Sequence, residues 1–435
     1  MNNDIISKYG LKGNPQSGLA MATFGYFIGF AAVSLYGPVA KNFNNTMHLS
    51  GLMLGLFVAA PNLTGSLLRI PFGAWVDRAG GKKPMLTLLL LSLVGMAGLS
   101  VLLYLCYPAK ITHSMFPLIF LLGLLSGCGI ATFSVGIPQT SYWFPQKKQG
   151  SALGIYGGIG NMAPGIFGII LPIALSALGL TGAYMAWFLF LLIGTVIYFI
   201  FANDAYYFQL IKKDLPQEKA KELALKLGEE LFPSGKVIES LKISARIRET
   251  WLLVAMYFIS FGGFLALTAW FPTYWVELHG LGLRNAGLLM AFGFSILASL
   301  VRVYGGSLSD KIGGEKTSIM GFMILFAGSI ILVFASQFYV ALLGEVIMGV
   351  GTGLANAAVF KLVPKYVSKA PGGAGGWVGG LGAFGGFVVP PLLGIFIDIF
   401  GKPGYAKGFI LFCIFAIIGV TIGLVLFKNA KKAGE

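Results

Sequence analysis

Residues 67–82 read LLRIPFGAWVDRAGGK, and residues 300–316 read LVRVYGGSLSDKIGGEK. Each stretch sets an arginine (Arg69, Arg302) in an apolar run, an aspartate eight residues later (Asp77, Asp310), and then a basic residue and a Gly-Gly pair. Both the arginines and the aspartates are 233 positions apart, so one unit occurs twice, once in each half of the chain. Of the 31 Lys and Arg residues, only these two arginines fall in the interior of long apolar segments, away from their ends. A guanidinium is charged at any accessible pH and costs several kcal/mol at membrane depth, so the matched pair argues for a shared anionic ligand. The alternative is a structural arginine snorkelling to its loop, and about two helical turns separate each residue from that loop.

Outward from these copies, the chain is 56% hydrophobic and 11% charged, with 62 glycines in 435 residues. Its mean hydropathy of +0.81 excludes a soluble domain. Twelve apolar stretches lie near 18–40, 51–76, 84–106, 115–143, 151–178, 183–203, 251–276, 285–309, 317–336, 338–362, 375–399 and 407–427. Each is long enough to cross a bilayer as a helix, and they are numbered 1–12 below. Lipid offers no partner to backbone N–H and C=O groups, and the alternating pattern of a membrane barrel is absent, so the predicted fold is all-α.

The net charge of +15 follows the positive-inside rule, which removes the need for a nucleic-acid partner. With a cytoplasmic N-terminus, the inner segments hold 24 Lys and Arg residues and the outer loops five: Lys41, Lys110, Arg284, Lys402 and Lys407. Both termini are then cytoplasmic. The expected organisation is a six-helix half over 1–203, a cytoplasmic linker over 204–249 and a second six-helix half over 250–435. Within the linker, Ala220, Leu223, Ala224 and Leu227 recur at helical spacing, which predicts an amphipathic helix at the inner surface. Cys106, Cys128 and Cys413 read as packing residues without a metal site, and His48, His113 and His279 as solvated loop residues.

The stretch Gly73-Ala-Trp-Val-Asp77-Arg78-Ala-Gly80-Gly81 resembles the motif between helices 2 and 3 of the major facilitator superfamily, with Asp310, Gly313 and Gly314 in its second copy. That resemblance implies a conformational latch and a transporter, whatever the cargo. Asp77 and Asp310 sit at helix C-termini, unfavourable for an anion, so each is expected to pair with a basic residue or a facing helix N-terminus.

Two further stretches are dense in glycine, Gly154–Gly165 on helix 5 and Gly372–Gly386 on helix 11. Small residues allow close helix packing, and they also let a small ligand reach the backbone. Together with the two arginines, these stretches resemble the nitrate/nitrite porter family, the NarK type, over essentially the whole chain. The resemblance implies twelve transmembrane helices in two pseudo-symmetric halves and a monomer in the cytoplasmic (inner) membrane, carrying nitrate or nitrite without a cofactor. It further implies an anion clamped by Arg69 and Arg302, near Asn161 and Gly157 on helix 5 and Gly376 and Gly379 on helix 11, with aromatic walls from Tyr257, Phe261 and Phe133. Helix 11 carries Gly379 where the resemblance implies a serine.

A planar guanidinium fork suits a planar, weakly hydrated oxyanion better than an ammonium does. Proton coupling normally needs an intramembrane carboxylate or histidine, and only Glu345 on helix 10 and Asp398 near the outer end of helix 11 lie within apolar spans. Anion exchange is therefore the expected mode. Nitrate/proton symport and a carrier for another small anion such as oxalate or formate are the alternatives. Glu345 reads either as a proton site or as a structural partner. No nucleophile-base-acid set falls at membrane depth, so an enzyme is not expected.

Overall fold

The computed structural model describes residues 2–233 and 237–433; residues 234–236 of the linker, Met1 and residues 434–435 lie outside it. Among the described residues, eleven apolar helices are long enough to cross a bilayer, and the longest, Ala152–Phe201, is broken at Gly179 (φ 67°, ψ 177°), where only glycine is at ease. That break makes twelve spans. Helix 1 is Pro15–Met47, helix 2 Gly51–Ala79, helix 3 Lys82–Cys106 and helix 4 His113–Trp143; residues 152–178 and 180–201 form helices 5 and 6. Helices 7–12 are Arg248–His279, Leu283–Ile312, Gly314–Phe334, Phe338–Tyr366, Pro371–Phe400 and Gly404–Ala430. The chain is an all-α membrane protein of two six-helix halves.

Local chemistry starts and stops these helices. Asn14 and Ser17 form a reciprocal capping box ahead of Pro15, and the Ser50 hydroxyl accepts the Met53 N–H at the start of helix 2. Glycines then set how closely helices approach. Helices 9 and 10, for instance, meet through Gly321, Gly328 and Gly351, where an added Cβ would strike the facing backbone. Leucine, valine and aromatic side chains such as Val94, Tyr104, Phe199 and Phe334 face outward, an apolar surface that only lipid can cover.

Several helices are interrupted, those that carry the two arginines among them. Helix 2 breaks at Leu68, helix 5 at Met162 and helix 11 at Phe384, helix 4 contains a 3₁₀ turn over Cys128–Ala131, and helices 7 and 8 contain π-helical segments at Phe258–Gly262 and Met290–Ser295. Helices 3, 9 and 10 run through without such a break, and helix 12 does so from Ile410 onward. Two of the breaks have a direct cause. Pro71 and Pro164 have no N–H for the carbonyls four residues earlier, Leu67 and Gly160, so the ladder opens just before each proline.

The halves meet tightly at the face away from the linker. There Gly37 packs on the Ala269 carbonyl, Gly55 on that of Pro390, Gly394 on that of Gly51 and Gly287 on that of Gly168, so backbone touches backbone between helices 1 and 7, 2 and 11, and 5 and 8. Asp398 adds a polar tie, its carboxylate accepting the Gly51 and Leu52 N–H groups at 2.6 and 2.8 Å. At the linker face the halves stand apart around a cavity of about 770 Å³ that reaches from Arg69 to the linker.

The linker contains the expected helix at Gln217–Lys226, with Ala220 and Ala224 fully buried. A further linker helix, Val237–Ala245, was not foreseen. It lies against the start of helix 11, where the Ser240 hydroxyl accepts the Gly373 N–H at 3.0 Å and the Leu241 carbonyl accepts the Trp377 indole N–H at 3.1 Å.

Candidate functional site

Arg69 is the first residue after the helix 2 break and is 1% exposed. Its Nε donates to the Gly65 carbonyl at 3.1 Å and its Nη1 to the Gly379 carbonyl at 3.2 Å, across the two halves. Its Nη2 is buried without a partner. Arg302, half-buried on helix 8, likewise has a buried and unpartnered Nη1. Among the described residues no ion pair joins either guanidinium to a carboxylate.

Both arginines stand over one aromatic ring. The Arg69 Cζ lies 5.0 Å and the Arg302 Cζ 5.6 Å from the Phe261 centroid, and Arg69 is also 4.7 Å from Phe133. Phe261 sits in the π-helical segment of helix 7, where the extra residue per turn re-aims the side chain. Tyr257 stacks on it at 5.0 Å with an 8° interplanar angle, and Phe133 stacks at 5.7 Å. These rings remove water from the guanidinium faces and donate their quadrupoles, which eases the burial of two like charges.

Asn161, the last residue before the helix 5 break, joins the cluster through Tyr26, whose hydroxyl donates to its side-chain oxygen. Its backbone carbonyl accepts from Ser299, one turn before Arg302 on helix 8, at 3.4 Å. Gly157 lies one turn earlier on the same face of helix 5, with no atom within 4 Å of where its Cβ would be. Gly379 contributes its carbonyl to Arg69, and Gly376 lines the cavity below, opposite Leu241 of the linker.

The expected partners of the duplicated motif differ between its copies. Asp310 pairs with Lys361 of helix 10. Among the described residues Asp77 meets neither a cation nor a helix N-terminus: it lines the cavity with Gly73 and accepts from the Tyr142 hydroxyl at 2.5 Å. Gly80 (φ 76°) and Gly81 make room for Asp204 and Gln139, and Asp204 accepts the Lys82 N–H at the start of helix 3. Gly313 (φ 92°) reverses the chain before Gly314 packs on Leu362, and Arg78 is exposed.

Glu345 stands away from this centre. It is fully buried between helices 10, 7 and 8, and its Oε2 accepts the Trp275 indole N–H at 2.8 Å. Among the described residues no group of His, Cys, Asp and Glu could hold a metal.

Sequence reasoning missed Tyr26 and Gly160. The Tyr26 ring is fully buried, and a Cβ on Gly160 would lie 1.9 Å from it. A tyrosine in an apolar span carries no mark of its own. The signal available was Pro164, which places the helix break beside Asn161.

The profile of the Major Facilitator Superfamily matches residues 22–300 and 286–435. The chain is 30% identical to the "nitrite extrusion protein" of Bacillus subtilis (strain 168), covering 90% of this chain and 89% of that protein. It is 29% identical to the "probable nitrate/nitrite antiporter NarK1" of Thermus thermophilus, covering 96% and 93%. Among solved structures, the D-xylose-proton symporter matches with a TM-score of 0.70 at 16% identity over 96% of this chain and 98% of that one, a likeness of fold. Fold and sequence agree, and the chain belongs to the major facilitator superfamily, within its nitrate/nitrite porter family.

Proposed function

We propose that this protein exchanges nitrate and nitrite across the cytoplasmic membrane by alternating access, holding one anion between Arg69 and Arg302. The observation that carries the reading is the pair of guanidinium groups, one from each half, that share Phe261 and each keep an unpartnered N–H. Their distances to that ring limit the Cζ separation to about 10.6 Å. At an effective dielectric near 20 their repulsion is then at least about 1.6 kcal/mol, and a monoanion midway would attract each by roughly 3 kcal/mol. The bound anion thus draws the halves together and the empty site resists closure. A carrier built in this way returns loaded, which is exchange. The names of the relatives from Bacillus subtilis and Thermus thermophilus support nitrate and nitrite as cargo.

The distribution of basic residues supports a cytoplasmic linker face, and the cavity is then that of an inward-facing state. Asp77 and its glycines would re-engage helix 11 when that face closes.

The test is counterflow of labelled nitrate in proteoliposomes. Uptake should require internal nitrate or nitrite, and Arg69→Lys and Arg302→Lys should each cut it by more than tenfold, since lysine keeps the charge and loses the fork. Equally fast uptake into empty vesicles under a pH gradient would replace exchange by proton symport. Retained transport in either lysine variant would remove the clamp.

A further inference from the structure

We propose that Tyr26 is a positioning residue that fixes which end of the Asn161 amide faces the anion. The inference rests on the reading that Arg69 and Arg302 hold an anion. Tyr26 reaches the site only because residue 160 is glycine, and its ring is held by Phe133 at 5.3 Å, Tyr156 at 5.0 Å and Phe30 at 4.8 Å. Its hydroxyl lies within electrostatic range of both guanidinium groups.

That placement decides the direction of the hydrogen bond. Near two cations the phenol oxygen turns its lone pairs toward the positive charge, and its proton points away. The acceptor in that direction is the Asn161 Oδ1. With its oxygen engaged, Asn161 is left with Nδ2 as its free end, a donor. A reversed amide would set a carbonyl dipole against the anion and leave the Tyr26 proton without an acceptor, a buried loss on both sides. The two arginines supply charge and one unpartnered N–H each, and Asn161 Nδ2 supplies a third, neutral donor from helix 5. The backbone carbonyl of Asn161 is tied to Ser299, one turn before Arg302, which holds this part of helix 5 against the arginine-bearing helix 8.

Tyr26 therefore acts through Asn161, and the two should not be independent. Tyr26→Phe, Asn161→Ala and the double variant are compared in nitrate exchange by the full chain in proteoliposomes. Each single change is expected to raise KM for nitrate about tenfold with kcat changed less than threefold, and the double variant to be no worse than Asn161→Ala alone. A structural role for the ring would lower the melting temperature in detergent and act on kcat and KM alike. Multiplying effects in the double variant, or an unchanged KM in Tyr26→Phe, would overturn the proposal. If Tyr26→Phe cannot be purified folded, Asn161→Ala decides: a wild-type KM there leaves Tyr26 nothing to position. Wild-type protein that does not exchange nitrate would sink the functional reading itself, whereas exchange with independent Tyr26 and Asn161 effects would sink this inference alone.

Discussion

Replacing Asp398 by asparagine should open the face that is closed. The Asp398 carboxylate on helix 11 accepts two backbone N–H groups at the start of helix 2, at 2.6 and 2.8 Å, and so ties the halves together opposite the linker. Asparagine keeps one acceptor oxygen and loses the charge. One net hydrogen bond is worth about 1 kcal/mol, and an exposed charge at a helix N-terminus about 0.3–1 kcal/mol. The tie is therefore weakened by roughly 1–2 kcal/mol, a shift of about 5- to 30-fold in the equilibrium between closed and open. Thr273, 3% exposed and donating to the Gly37 carbonyl at 3.4 Å in the same seam, is a reporter position. In a background lacking Cys106, Cys128 and Cys413, Thr273→Cys should react with a maleimide 5- to 30-fold faster when Asp398→Asn is added, and at the parent rate with Asp398→Glu. A rate within twofold of the parent for Asp398→Asn would show that the carboxylate does not hold the seam.

Other perturbations test the same architecture from different sides. Gly394→Ala would put a Cβ 2.0 Å from the Gly51 carbonyl oxygen, so labelling at Thr273→Cys should rise and nitrate exchange fall at least tenfold; wild-type values in both would contradict the backbone contact. Gly379→Ser has room, its Cβ nearest Phe360 at 4.0 Å, and exchange should survive with KM within threefold of wild type or lower, whereas a tenfold loss would mean that the space is not there. In the linker, burial pushes the Glu229 carboxyl up to about 8 although it accepts the Tyr206 and Tyr207 N–H groups. Its raised value means that the folded linker binds the proton more tightly than the unfolded one, so stability is present at low pH and is lost as pH rises from about 4.5 through 8. Limited proteolysis of the linker should accordingly be faster at pH 9 than at pH 6, and Glu229→Gln should flatten the difference; equal rates in wild type would refute it.

Long apolar runs and the placement of Lys and Arg made the spans legible, because lipid penalises unpaired backbone and charge so strongly. The same penalty exposed Arg69 and Arg302. What stayed hidden was decided by contacts distant in sequence. No local signal marks the π-helical turn that aims Phe261, since the sequence Phe258-Ile-Ser-Phe-Gly262 can equally continue as an ordinary α-helix, and Gly262 packs there on Gly382 and Gly385 of helix 11, far away in sequence. Helices 5 and 6 read as two spans with a short loop between them, and the division is made instead by the single residue Gly179. Tyr26 was one apolar-span aromatic among many, made distinct by Gly160 from another helix. The linker helix Val237–Ala245 is too short to announce itself, and its partner is the glycine-rich start of helix 11.

The seam opposite the linker joins carbonyl oxygens to glycine α-carbons at Gly37, Gly55, Gly287 and Gly394. Such a joint has no rotamers to freeze when it shuts and none to release when it parts, so little side-chain entropy weighs on either state. The turnover of the carrier is then insensitive to slow repacking of side chains at this gate. A cargo of only a few atoms has little binding energy to spend, and a seam of this kind lets that small amount decide which way the protein faces.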